Sequence, residues 1–254
     1  MRDRSVDRGR YSCAGWLGRP EQTPAYTDTE ADKLSAIASE PVAIDATRLN
    51  EVPKYGYGLA PYFMALALWV GALAFYLMTS PRNERLIAAR KPAWTIALRS
   101  YWPGALMGAI QAVLAVLAIR FAVGIEPANL SGLIGIAVLT SITFVAINQA
   151  LIALLDAPGR FIALLLIVVQ LSASGATYPI ETSPAFFQII QGALPLAATV
   201  EAFRSLIAGG SIGVAHAVVM LTIWLMGSLA VTGLASVRRR RSLPTFVANV
   251  PATS

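Results

Sequence analysis

Apolar side chains gather into five long stretches, Tyr57–Met78, Trp102–Ile125, Asn129–Leu155, Phe161–Ile180 and Ile212–Val237. A helix rises ~1.5 Å per residue, so roughly 20 residues cross a ~30 Å hydrocarbon core. Each stretch meets that length. Four carry no Asp, Glu, Lys or Arg, and the second carries only Arg120, near its end. Lipid offers peptide groups no hydrogen bonds, so such stretches must be helices. The pattern predicts an all-α fold, a polytopic membrane helical bundle with five transmembrane helices.

The segment Glu181–Gly210 is too apolar for an ordinary loop and too broken for a span. Ser183-Pro184 reads as a helix start, a cap followed by proline in the first turn. Gly192 and Pro195 interrupt it. A second short helix then places Leu196, Val200, Phe203 and Ile207 on one face and ends at Gly209-Gly210. Glu201 and Arg204 form an i,i+3 pair on its polar side. Two short amphipathic external helices are expected here, as a plain connector or as a lid over an exit. Ahead of the spans, Ala31, Leu34 and Ile37 at spacings of three suggest a helix within Thr29–Ala38, and Pro41 to Pro53 reads as an extended linker.

Polar residues inside the spans fall on faces. Thr140, Ser141 and Asn148 share one face of the third span, with Gln149 adjoining, and Gln170, Ser174 and Thr177 form a stripe on the fourth. A candidate intramembrane polar stripe is therefore Ser141, Asn148, Gln170 and Ser174. Facing stripes either bond helix to helix or line a wet path, and interhelical bonding is the commoner use. Gly104-Ala-Leu-Met-Gly108 lets backbones approach closely. No carboxylate sits mid-span to carry a proton relay.

Charge orients the spans. Residues 1–54 hold 8 basic and 9 acidic side chains, and the other 12 basic and 5 acidic residues lie in or between the spans. Ten of those basic residues share one side by parity: Arg82, Arg85, Arg90, Lys91, Arg99, Arg160 and the run Arg238 to Arg241. The positive-inside rule places that side in the cytoplasm. Arg120 then lies near the outer end of its span, where its stem reaches the interface. The excess charge flanks membrane rather than forming a nucleic-acid patch, so no nucleic-acid partner is expected. The expected domains are 1–54, a polar extracytoplasmic segment; 55–243, the transmembrane region; and 244–254, a cytoplasmic tail. The protein is placed as multi-pass in the plasma membrane, with its N-terminus outside and its C-terminus cytoplasmic.

Chemistry is sparse. Cys13 is the single cysteine and His216 the single histidine, so neither a disulfide nor a Cys/His zinc site can be assembled within the chain. Lys33, Lys54 and Lys91 complete no G-x-x-x-x-G-K-[ST] loop. His216 has no carboxylate near it in sequence for a Ser–His–Asp arrangement, the nearest being Glu201 in another segment. No catalytic residue, metal or cofactor is expected, and the chain does not read as an enzyme.

Three strings match a known family in order: YGYGLAPYFMALALWVGAL, PRNERLIAARKPAWTIALRSYWPG and TYPIETSPAFFQIIQGALPLAATVEAFRSLIAGG. They resemble the membrane region of the YhgE/Pip (phage infection protein) family, which is related to type-2 ABC exporter permeases. The resemblance covers roughly Ala31–Leu243. It marks an external-loop motif, Leu194, Pro195, Glu201, Arg204, Gly209 and Gly210, without assigning it a role. It implies a permease-like protein moving an amphiphilic substrate with a separate ATPase. Its other implication is a non-transporting anchor or scaffold, of the phage-adsorption or type VII secretion accessory kind. The lipid bilayer is an expected partner in either case, and a homo-oligomer stays open. Family members have six spans, so five reads as six minus one and suggests a truncated fragment. No apolar core of about 7–15 residues follows the basic start of residues 1–54, so their outside location needs either the missing earlier helix or unaided translocation of the tail. Cys13 gives the orientation a direct test: a membrane-impermeant maleimide should label it in intact cells, whereas labelling only after lysis reverses the topology.

Overall fold

A computed structural model describes residues 55–88, 91–175 and 180–242, together with 27, 29, 32, 33 and 35. The chain divides into one unit before Leu49 and another from Leu49 onward. In the first, Thr29, Asp32, Lys33 and Ser35 are helical, and the Ser35 hydroxyl donates to the Asp32 carbonyl at 2.8 Å. Residues 1–26, the 41–53 linker, Thr177 and the 244–254 tail lie outside the described residues.

The second unit is built of helices: α1 Tyr55–Met78, α2 Glu84–Ala88, α3 Ala93–Phe121, α4 Leu130–Leu155, α5 Ala157–Ala173, α6 Ala185–Gln191, α7 Pro195–Ala208 and α8 Val214–Ser242. A 3-10 turn at Ile180–Thr182 precedes α6. Four of these, α1, α3, α4 and α8, are long and apolar enough to cross a membrane. The described residues therefore form a polytopic all-helical bundle.

The central helix is α4, which packs against α1, α3, α5, α7 and α8. Its sequence explains that place. Every residue from Thr143 to Ala150 is buried, so no face is left for solvent or lipid over two turns. Trp69 of α1 meets Phe144 edge-on, with centroids 4.9 Å apart. On α3, a Cβ at Gly104 would lie 2.9 Å from the Tyr76 hydroxyl, and one at Gly108 would lie 2.8 Å from Ser141 Oγ. The G-x-x-x-G thus seats α3 directly on α1 and α4, and the Ser141 hydroxyl donates to the Gly108 carbonyl at 2.7 Å.

The helix boundaries differ from the apolar stretches in three places. Trp102 was expected to open the second span, yet α3 begins at Ala93. Arg99 is exposed and does not interrupt a helix whose Ile96 and Ala97 are buried. The last helix runs on through the arginine run to Ser242, where cations at a helix C-terminus are favoured. The fourth stretch was expected to reach Ile180, but α5 stops at Ala173 after 17 residues, and Gly175 adopts a positive φ of 59°. At ~1.5 Å per residue α5 is only about 25 Å long, short of a ~30 Å core.

One end of the bundle carries the arginines. There Arg82 follows α1 and its guanidinium meets Asp156, which separates α4 from α5, at 2.6 Å. Arg82 also donates to the Ala153 carbonyl. Asp156 holds φ 54°, and Gly159 on the next turn sits so close that a Cβ would lie 2.3 Å from the Leu151 carbonyl oxygen. Gly159→Ala should therefore lower the melting temperature in detergent, at an overpacking cost of about 1–3 kcal/mol. Gly135→Ala, where a Cβ meets nothing within 4 Å, should melt at or above the parent temperature.

Candidate functional site

The far end of the bundle holds the motif singled out in the sequence. The helices α6 and α7 meet at 71° across Gly192, Ala193 and Leu194. At their corner Gly192 and Ala193 are exposed and Leu194 is buried. The indole Nε1 of Trp224, ten residues along α8, donates to the Ala193 carbonyl at 2.9 Å. Ten residues are about 15 Å, half of a ~30 Å hydrocarbon core. From the corner α7 runs back to the α3–α4 connection, where the amides of Ala128 and Asn129 donate to the carbonyls of Ile207 and Leu206 at 3.2 and 3.1 Å.

Both ends of α7 follow from its sequence. Pro195 occupies the first turn, where its missing N–H costs nothing. Leu194 at the N-cap offers no side-chain oxygen, and the cap comes from elsewhere: Gln170 Oε1 of α5 accepts from the Leu196 amide at 3.3 Å. At the other end Gly209 takes φ 89°, a left-handed cap, and the Gly210 amide donates to the Ser205 carbonyl at 2.7 Å. Leu194, Pro195, Gly209 and Gly210 are thus the punctuation of one buried helix.

Two short helices stand where the sequence placed them, and α6 has no buried residue. The apolar face of α7 is wider than the 196, 200, 203 and 207 stripe. Ala197, Ala198, Thr199, Ala202 and Leu206 are buried too, against α1, α4, α5 and α8. Small side chains carry little sign in a hydrophobic count, yet they let the helix enter a crowded interior.

A cavity of about 520 Å³ opens beside α7. Glu201, Arg204 and His216 line it along with Ser174 and Gln191, while Ala197, Ala198 and Ile180 give it apolar surface. Glu201 lies against the start of α8, for a Cβ at Gly213 would fall 2.7 Å from its Cδ. A carboxylate there faces the positive end of the helix dipole. Gly213, with φ 77°, makes that approach sterically open. His216 sits on this cavity, and the chain gives no local signal for it because α7 and α8 converge only in three dimensions. Among the described residues no group of His, Cys, Asp and Glu could hold a metal ion.

The polar stripes do not face each other as expected. Ser141 turns to α3, and Thr140 meets Thr199 of α7 at 3.3 Å. Asn148 Nδ2 donates back to the Phe144 carbonyl at 2.9 Å, and Gln149 Nε2 donates to the Pro81 carbonyl at 2.9 Å. Gln170 serves α7 and Ser174 borders the cavity. The reason is α7, whose insertion gives α5 a different neighbour for its stripe. Arg120 is exposed at the far end with its guanidinium 5.7 Å from the Phe121 ring centroid.

A family model described as ABC-2 family transporter protein matches residues 21–238. The chain belongs to this family. It is also 32% identical over 186 residues to "Uncharacterized protein YhgE" of Bacillus subtilis (strain 168), a match that takes in 72% of this chain and 23% of the relative. The chain therefore spans about a quarter of the length of the curated relative it matches. No solved structure matches it. As an ABC-2 permease-like membrane protein, the chain bears out the YhgE/Pip resemblance read from its strings.

The Gln170 cap supplies a prediction. Gln170→Leu removes the acceptor for a buried amide and should cost about 1–3 kcal/mol. The loss should localise: in a Cys13→Ser chain, a cysteine placed at buried Leu194 should react with a small thiol reagent several-fold faster in the Gln170→Leu background, while the bundle remains folded by circular dichroism.

Proposed function

We propose that this chain is the membrane part of an exporter that moves an amphiphilic substrate, powered by a separate ATPase. The observation that carries the reading is the far-end cavity, walled by the inward-turning α6–α7 pair. Its polar groups, Glu201, Arg204 and His216, suit a headgroup, and its alanine and isoleucine surface suits an apolar portion. Glu201 lies against the α8 start, and Arg204, one turn further along α7, lines the same cavity. In this reading the cavity is the exit, and the arginine end faces the cytoplasm in keeping with the positive-inside rule.

The ATPase would dock at the arginine end. There α2 anchors through buried Ile87 and presents exposed Arg85 beside Arg99 and Ser100. The chain has no phosphate-binding lysine loop of its own.

Tagged full-length chain should co-purify a nucleotide-binding protein whose ATP hydrolysis rises with added lipid or peptide amphiphiles. Arg204→Gln should reduce that stimulation several-fold without releasing the ATPase. Arg85→Glu should release the ATPase and leave the bundle folded. Isolation with no ATPase, combined with unaltered export on deletion, would sink the reading.

A further inference from the structure

A second concavity lies along the seam of α4 and α8. It has a volume of about 510 Å³ and is lined by Leu151 and Leu154 of α4 and by Ile223, Trp224, Gly227 and Val231 of α8. Its surface is almost wholly apolar. The one polar atom of the Trp224 ring is turned away, donating to the Ala193 carbonyl at 2.9 Å. Gly227 leaves the groove open, since a Cβ there would meet nothing within 4 Å.

The same face of α8 continues to a cation. Successive helical residues turn by about 100°, so Arg238, seven residues beyond Val231, returns to within about 20° of its direction. Arg238 is exposed. From Gly227 to Arg238 is eleven residues, about 16 Å along the axis. Half of a ~30 Å hydrocarbon core is ~15 Å, the depth that one leaflet's acyl chain fills. The groove therefore sits where the end of an acyl chain falls when its phosphate is level with Arg238.

We propose that the α4–α8 groove and Arg238 together bind one anionic phospholipid from the leaflet at the arginine end. An acyl chain lies along Trp224, Gly227 and Val231, and the phosphate pairs with the Arg238 guanidinium. The site is distinct from the far-end cavity and does not depend on transport. Charge complementarity selects the headgroup, because a cation at the membrane surface attracts an anionic lipid and gains little from a zwitterionic one.

The test uses the full chain, reconstituted with vesicles of equal phosphatidylglycerol and phosphatidylcholine, extracted in mild detergent and weighed by native mass spectrometry. The parent chain should retain phosphatidylglycerol in preference. Gly227→Leu sends a side chain into the groove from a Cβ position that meets nothing within 4 Å, and it should lose the retained lipid while its circular dichroism and melting temperature stay at parent values. Arg238→Gln should keep lipid but lower the preference for phosphatidylglycerol about fivefold. Equal retention by Gly227→Leu, or an undiminished preference in Arg238→Gln, overturns the proposal. So does conversion of a dimer to monomer by Gly227→Leu, which would assign the groove to a second copy of the chain.

Discussion

The corner between α6 and α7 governs the rest of the bundle. Within a hydrocarbon core every peptide group has to find its partner inside the protein. A helix pair broken at half depth leaves peptide groups that need partners from other helices. Two side chains answer this corner: Gln170 of α5 takes the Leu196 amide, and Trp224 of α8 gives to the Ala193 carbonyl. Those bonds hold α7 between α5 and α8 and so set the walls of the far-end cavity. The packing of α4 against five other helices supplies the frame on which the corner is hung.

At the opposite end a different constraint operates. The buried Arg82 guanidinium ties the end of α1 to the α4–α5 turn through Asp156 and the Ala153 carbonyl. A buried cation of this kind is costly unless fully engaged, and removing its partner leaves the charge stranded. The two ends thus rely on distinct chemistry, amide capping inside the membrane and charge pairing at its edge.

Much of this was legible in the sequence, for reasons that can be named. Length and absence of charge gave the spans, because lipid permits little else. Proline and glycine gave both ends of α7, because those residues report backbone geometry directly. What escaped was what depends on neighbours. Arg99 looked like a boundary and proved to be a residue on a continuous helix. Gln170 looked like one member of a stripe aimed at α4, and it caps a helix that arrives from 26 residues downstream. Ala197, Ala198 and Ala202 carry too little hydrophobic signal to announce that α7 is buried. His216 came to the cavity only through the convergence of α7 and α8.

The shortness of α5 has a consequence for the membrane itself. Leu164, Leu165 and Val168 expose an apolar band on a helix of 17 residues, which ends beside the cavity at Ser174. A bilayer meets a hydrophobic surface shorter than its own thickness by thinning against it, at a cost of a fraction of a kcal/mol per Å. Thinning along this flank would draw the leaflet inward toward the cavity mouth and bring the headgroup layer closer to the protein interior there than around the long helices.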